Sequence, residues 1–295
     1  MDKGLRIKYR ILLFFISVSV LCGCGRTEYS GVEVKNKAAI TESLRRVMIN
    51  RSYAMDIVFD AETADEEVLR KLSEELISEV FYESDDPKGG DYLRYQYGGC
   101  SMEPCMDKDG AGYSYRLRMI PEYYTTAEEE LYVDSEISRI LKSIKDDPGL
   151  SEYEKVKAVR DHICDTVSYD TVHKHMKGSG HVQSTAYGCL YYHTALCQGY
   201  AVLTYRMLKE LGMDVRIIKG DLFVNGRMER HAWNIVRIGD EYYNLDVTMD
   251  DINRNYDHFL KSDESFNRDH KRDEEFLTED FYREYPVSSM DHEYE

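Results

Sequence analysis

Apolar residues recur at helical spacing along several stretches of this chain. Ile40, Leu44, Val47 and Met48 fall on one face of a predicted helix over 38–49. Asp65 is placed to cap a longer one, whose apolar face holds Val68, Leu72, Leu76, Ile77 and Val80. Leu131, Ile137, Ile140, Leu141 and Ile144 predict a helix over 127–144, and Tyr153, Val156, Val159 and Ile163 another from 152 to about 167. The same period runs over 197–211 and stops at Gly212, in a C-cap position. Strand composition marks 53–59, 92–97, 113–120, 215–219, 231–238 and 241–247. Asp85-Asp-Pro-Lys-Gly-Gly90 interrupts the pattern, and loops are expected between 97 and 113 and over 170–180. These elements predict a small α+β module over 37–121 and a second domain over 122–280, helices first and then an antiparallel sheet. The Asp-, Glu- and Tyr-rich residues 281–295 read as a frayed acidic tail.

The first residues follow a different pattern. Lys3, Arg6, Lys8 and Arg10 precede an apolar run from Ile11 to Leu21. A membrane-spanning helix needs about 20 apolar residues, so this run fits the core of a signal peptide better. It ends in Leu21-Cys22-Gly23-Cys24, which resembles a bacterial lipobox. The resemblance implies cleavage after Gly23, lipid on Cys24, and a polar linker over 24–36. The simpler reading is a secretory peptide with a chance cysteine. A lipid on Cys24 would tether the domain to the membrane outside the cytoplasm without spanning it.

Charge narrows the partners. The chain carries a formal charge of -17, and removal of residues 1–23 takes away four basic residues and one acidic one, giving -20. So acidic a surface argues against nucleic acid and against peripheral binding to anionic lipid. Peptide or protein substrates, cell-wall-linked ones included, remain compatible with it. Of the seven cysteines, Cys22 and Cys24 belong to the leader. Cys100 and Cys105 could close a small disulfide loop, while Cys164 and Cys189 sit among apolar neighbours and read as core. The cysteine spacings match no zinc site. His173, His175 and His181 crowd one loop and could bind a metal, but no carboxylate pattern accompanies them. No cofactor is expected.

Cys197 sits where a loop becomes a helix. The partial positive charge and unpaired amides there favour a thiolate and can donate to an oxyanion. Gly199, two residues on, would keep the first turn clear for an acyl group. A cysteine at a helix start is more often structural, so partners decide the matter. The segments 231–238 and 241–246, joined by Gly239-Asp240, read as a hairpin with a type II′ turn. In that register Ile238 faces Glu241 and Asp246 faces Trp233, so His231 and Asp246 are diagonal neighbours on one face. Diagonal pairs lie about 7–8 Å apart by backbone and are reachable by longer side chains. A carboxylate on one imidazole nitrogen leaves the other free to take a thiol proton.

Ser184-Thr-Ala-Tyr-Gly-Cys-Leu190, Ala195-Leu-Cys-Gln-Gly-Tyr-Ala201, His231-Ala-Trp-Asn234 and Tyr243-Asn-Leu-Asp-Val-Thr-Met-Asp-Asp251 together resemble the successive motifs of the bacterial transglutaminase-like superfamily. The segment 154–163 with Tyr169-Asp170, and Phe259-Leu-Lys-Ser-Asp263 with His270, match its flanking signature. The resemblance runs from about 127 to 270 and leaves the N-terminal module outside. It implies a papain-like α+β core with a catalytic triad of Cys197, His231 and Asp246. Tyr187, Gln198 and Trp233 are expected around the oxyanion hole or the pocket wall. Met249 departs from the tryptophan usual at its position, a packing change beside the triad.

The triad implies attack by Cys197 on a peptide or carboxamide carbonyl, with a thioester intermediate. Water would then release the acyl group, as in a peptidase or amidase, or an amine would take it, as in a transglutaminase. Hydrolysis is the simpler expectation, since no amine-binding feature is visible. The alternative is a non-catalytic lipoprotein that uses the same groove to bind peptide or cell-wall material.

Overall fold

Two units make up the chain: residues up to Tyr82 together with Tyr97–Tyr123, and Glu83–Gln96 together with everything from Tyr124 on. The structure, a computed structural model, describes residues 26–29, 32–35, 37–61, 66–109, 112–172 and 182–293. The leader with Cys24, and the histidines 173, 175 and 181, lie outside these residues.

The first unit begins with β1 (Arg26–Tyr29), β2 (Val32–Lys35), α1 (Lys37–Ile49), β3 (Met55–Ala61) and α2 (Glu66–Val80). The chain then contributes α3 (Gly90–Tyr95) to the second unit and returns as β4 (Tyr97–Asp109) and β5 (Gly112–Tyr123). The five strands form an antiparallel sheet in the order β1-β2-β3-β5-β4. Leu44 and Met48 of α1, Leu72, Leu76 and Val80 of α2, and Met55, Ile57, Leu117 and Met119 of the sheet are buried. Arg45 of α1 donates to the carbonyls of Glu79 and Val80, which the end of α2 leaves without helical partners. Asp56 and Arg118 stand directly opposite each other on β3 and β5 and pair through two hydrogen bonds of 2.7 and 3.0 Å.

Two expectations change here. The segment 92–97 is not a strand, because Gly90–Tyr95 is helical and belongs to the second unit. Asp91 there accepts hydrogen bonds from Arg216 (2.8 Å) and from the Ile217 N–H (2.8 Å), and Tyr92 donates to Glu130 (2.8 Å). These long-range ties override the strand preference of its tyrosines. The strand instead occupies 97–109, much of the stretch expected as loop. That strand also rules out the disulfide loop. Five residues along it separate the backbones of Cys100 and Cys105 by about 16 Å, far beyond disulfide reach, and the Cys100 thiol is free.

The second unit continues with α4 (Ala127–Lys145) and α5 (Glu152–Thr166). Both open with a capping box, Thr126 with Glu129 and Ser151 with Glu154. Next come β6 (Ser168–Tyr169), a π-helical turn over Gly188–Tyr192, β7 (Thr194–Ala195) paired parallel with β6, and α6 (Cys197–Glu210). A four-stranded antiparallel sheet follows, ordered β10-β9-β8-β11. Its strands are β8 (Val215–Val224), β9 (Arg227–Ile238), β10 (Glu241–Leu245) and β11 (His270–Arg272), with α7 (Val247–Asn253) and α8 (Asp263–Phe266) before the last.

Alternation along the strands gives this sheet two buried faces. Ile217, Ala232, Val236 and Leu245 join the core built on α4, α5 and α6, where Val133, Ile137, Val159, Tyr200 and Leu203 are fully buried. Ile218, Trp233 and Ile235 face the other way, against Phe266, Phe276, Phe281 and Tyr285. The C-terminal residues are therefore not a frayed tail. A last helix, α9 (Glu279–Glu284), buries Phe281, and Ser288 N–H donates to the Tyr242 carbonyl at 2.8 Å. The acidic residues there alternate with aromatics that cover the second face of the sheet. Among the described residues, no helix is long and apolar enough to cross a membrane.

Candidate active site

The nucleophile candidate opens a helix that lacks a capping side chain. Leu196 is the N-cap of α6 and offers no side-chain acceptor, in contrast to the capping boxes of α4 and α5. The amides of Cys197 and Gln198 thus lack both a helical carbonyl and a cap and remain available to an anion, while the Gly199 N–H already donates to the Leu196 carbonyl at 2.8 Å. Gly199 keeps this turn clear for a different reason than expected. A Cβ there would collide with the Gln183 carbonyl and crowd the Ala195 methyl, so the glycine permits close packing beneath the helix and not substrate approach.

The hairpin brings in the other two groups. Glu241 pairs with Ile238 and Leu245 with Asn234, the expected register, and Gly239 has φ +62° while Asp240 has no positive φ, as a type II′ turn requires. His231 and Asp246 meet on one face. His231 Nε2–H donates to Asp246 Oδ2 at 2.6 Å, which leaves Nδ1 for the thiol, and Cys197 lies where the His231 ring and the Ala232 N–H act on its sulfur. The last strand position expected, Val247, is helical instead. Asp246 is the N-cap of α7, and its Oδ1 accepts the Met249 N–H at 3.1 Å. One carboxylate thus caps a helix with one oxygen and orients the imidazole with the other.

The charges follow from this geometry. Burial pushes the Cys197 thiol up, but the hydrogen bond and positive charge of His231, with the Ala232 amide, bring it below its ordinary value. Burial pushes His231 down, yet Asp246 and then Cys197 raise it well above the ordinary histidine range. Asp246 is held far below the carboxylate range, against burial, by His231 and by His270. Both shifts favour the thiolate–imidazolium form of the pair. The other thiols among the described residues go the other way: burial raises Cys100 to about 11, Cys164 to about 12, and Cys189 further still.

The four residues of His231-Ala-Trp-Asn234 divide the work by alternation. Ala232 faces α6 beside Cys197, and Asn234 ties the sheet to α6 by donating to the Ala201 carbonyl at 3.1 Å. Trp233 is fully buried, lies nearly parallel to the His231 ring at 6.2 Å, and donates to Asn244 at 3.2 Å. It is a wall behind the imidazole. Gly220 stands opposite His231, where a Cβ would overlap the Lys271 carbonyl and come within 2.8 Å of Trp233 Cη2. Gly220→Ala is expected to cost about 1–3 kcal/mol, read as a lowered urea midpoint, and to slow Cys197 chemistry by displacing that wall.

The other expected pocket residues fare differently. Gln198 gives one amide hydrogen to the Tyr95 carbonyl at 2.9 Å, anchoring α3 beside the site. Tyr187 packs into a cluster of tyrosines, stacked on Tyr191 at 5.1 Å and edge-on to Tyr132 and Tyr192. Its ring contacts are with that cluster and not with the triad. The two aspartates after Met249 are structural: Asp250 accepts from Arg160 (3.1 Å) and the His258 N–H (2.9 Å), and Asp251 accepts from Tyr200 (2.7 Å).

Sequence reasoning missed Lys219, and it named His270 in the flanking signature without giving it a place at the site. Lys219, directly opposite Ala232, holds its ammonium 4.3 Å from the centre of the Tyr95 ring. Burial, then Arg94 and Arg230, lower its pKa, while the Cys197 charge opposes that. His270 reaches Asp246 from β11, and nothing in the spacing of 24 residues signals that contact. His231, Asp246 and His270 lie close enough to hold a metal ion, as do His258, Asp269 and His270. The nitrogen–oxygen distances of 2.6–3.3 Å in both groups are those of hydrogen bonds. A metal on Asp246 would compete for the oxygen that orients His231.

An α+β domain with a Cys–His–Asp constellation at the start of a helix and across a hairpin defines a cysteine-enzyme architecture. Residues 142–247 match the Transglutaminase-like superfamily, a stretch that contains Cys197, His231 and Asp246, and the chain carries a domain of that superfamily. Among solved structures it is similar to a TGase (16% identity, TM-score 0.37, 66% of this chain and 50% of that one). It is also similar to a candidate cysteine protease from Cytophaga hutchinsonii (17%, TM-score 0.32, 52% of this chain and 65% of that one). A candidate protease from Parabacteroides distasonis matches at 10% identity and TM-score 0.27, over 50% of this chain and 40% of that one. The chain thus spans about half the length of the TGase it matches. No curated protein matches the sequence.

Proposed function

We propose that this protein is a lipid-anchored extracytoplasmic cysteine enzyme that acts on peptide or carboxamide carbonyls through a thioester at Cys197. The observation that carries the reading is His231, held by Asp246 at 2.6 Å and set beside the Cys197 thiol, whose pKa it lowers. The Cys197 thiolate attacks the carbonyl carbon, and the oxyanion is met by the free amides at the start of α6. His231 then gives its Nδ1 proton to the departing amine as the C–N bond breaks, leaving the acyl group as a thioester. A water molecule, deprotonated by the now neutral His231, attacks the thioester carbonyl. The acid leaves, and the proton held by His231 re-forms the ion pair with the thiolate. An amine in place of water would give a new amide. Hydrolysis is the preferred outcome, since water is always present and, among the described residues, none around Cys197 marks a site for a second amine. The anchoring rests on the lipobox-like Leu21-Cys22-Gly23-Cys24 alone.

The test is a covalent one. The soluble chain beginning after Cys24, incubated with a library of short peptides and their carboxamides, should gain acyl mass on Cys197, detected by mass spectrometry after acid quench. Added methylamine should divert little of the product. Predominant methylamide formation would reassign the reaction to acyl transfer. Absence of any adduct and of any turnover across the library, with a reactive thiol, would leave the groove as a binding site.

A further inference from the structure

Asp246 Oδ2 serves two histidines. It accepts from His231 Nε2–H at 2.6 Å and from His270 Nε2–H at 3.1 Å, while Oδ1 takes the Met249 amide. The side chains of Asp246 and His270 are both without exposure, so no solvent takes over a lost contact. His270 is itself fixed on its far side, where its Nδ1 lies 2.6 Å from Asp269 Oδ1. The other oxygen of Asp269 meets His258 Nε2 at 3.3 Å. The Phe266 ring stacks on His270 at 3.9 Å, and Trp233 stands edge-on to it at 5.1 Å. Both ring nitrogens of His270 thus face carboxylate oxygens, which only accept, and the arrangement asks for a donor at each.

We propose that His270 is a positioning residue for the triad: it shares Asp246 Oδ2 with His231 and so fixes the carboxylate while tempering its pull on the His231 proton. The inference rests on the reading of Cys197, His231 and Asp246 as a working triad. Two consequences follow from the shared oxygen. Without His270, Asp246 has one anchor fewer and the His231 ring is less well aimed at Cys197. The full charge of the carboxylate then falls on His231, and the imidazolium holds its proton to higher pH. The charged and titratable groups that face His270 are Asp246 at the start of α7, His231 on β9, and Asp269 and His258 in the segments before β11. Asp250, 4.0 Å from His258 Nδ1, lies behind them.

The test uses iodoacetamide and needs no substrate. In the folded chain the labelling rate of Cys197 should rise in two steps with pH, the lower reporting thiol ionisation and the upper the loss of the His231 proton. His270→Phe keeps the stack on Phe266 but removes the donor. It should lower the rate between the steps about tenfold, the loss expected for one hydrogen bond to a charged group, and move the upper step to higher pH. His270→Gln, which can place an amide N–H near the position of Nε2, should restore both in part. An unmoved upper step in His270→Phe overturns the proposal, even if the rate falls, because loosened packing alone would not shift it. Should His270→Phe fail to fold, Asp269→Asn carries the test: it weakens the hold on His270 and must move the upper step the same way by less. His231→Ala, run alongside, separates the two readings. If it leaves labelling unchanged, the triad itself fails; if it abolishes the two-step profile while His270→Phe does not alter it, only the present inference fails.

Discussion

At pH 6.5 iodoacetamide will modify Cys197 about tenfold faster than an ordinary exposed thiol, and Cys100, Cys164 and Cys189 will remain unlabelled in the folded chain. A free thiol with a pKa near 8.5 is only about 1% thiolate at that pH. The His231 hydrogen bond and charge bring the Cys197 pKa below its ordinary value, against the opposing effect of burial. A thiolate of lowered pKa is a somewhat weaker nucleophile, so the contrast in rate falls short of the contrast in ionisation. Cys164, raised to about 12 by burial, is almost wholly protonated and sheltered as well. The measurement is peptide mapping of alkylated cysteines against time and pH. His231→Ala should erase the advantage, since burial alone would then act on Cys197 and push its pKa up. Labelling of Cys197 at the pace of an ordinary thiol, indifferent to His231, would mean that no ion pair forms.

Asp246→Asn is expected to lower turnover by about 10³–10⁴-fold while leaving the fold in place. The asparagine carbonyl can keep the cap on Met249 N–H, the contact by which Asp246 starts α7. What it cannot do is hold a charge against the imidazole. An amide on Oδ2's side donates where a carboxylate accepts, favours the wrong tautomer of His231, and removes the group that raises its pKa. The size of the loss follows the corresponding change in a Ser-His-Asp triad. The sign in pH is also fixed: without the carboxylate, burial pulls the imidazole down, so the upper limb of the rate profile moves to lower pH. Asp246→Ala should lose the cap as well, costing about 1 kcal/mol of stability on top, visible in urea unfolding. Equal activity of Asp246→Asn and the native chain would remove Asp246 from the mechanism.

These two experiments address residues that the sequence already singled out, and the reason lies in short-range geometry. Period-two alternation and the two-residue Gly239-Asp240 turn determine the register of β9 and β10 locally. Once the register is set, His231 and Asp246 share a face. The start of α6 is likewise local, marked by the change of period at Cys197. Helices α1, α2, α4 and α5 were legible for the same reason, since an amphipathic stripe needs little from elsewhere, and α4 and α5 add capping boxes.

What the sequence could not supply depends on partners distant in the chain. Gly90–Tyr95 has the tyrosines of a strand but is helical because Asp91 and Tyr92 are tied to residues on β8 and α4. The C-terminal residues look like a charged tail until Phe281 and Tyr285 are seen against the second face of the sheet. Tyr187, expected around the oxyanion hole or the pocket wall, instead stacks its ring in a tyrosine cluster. His270 and Lys219 reach the site from strands whose pairing is not encoded by any turn between them.

The sequence by itself therefore determined the candidate chemistry: a thiol at a helix start, and an imidazole and a carboxylate on one face of a two-stranded hairpin. Only the tertiary structure decided their electrostatic setting. Whether Asp246 answers to one histidine or two, and what the Gln198 amide is bound to, are settled by side chains that meet across β11 and α3. Such contacts obey packing and hydrogen-bond satisfaction in a closed interior, which no local periodicity records.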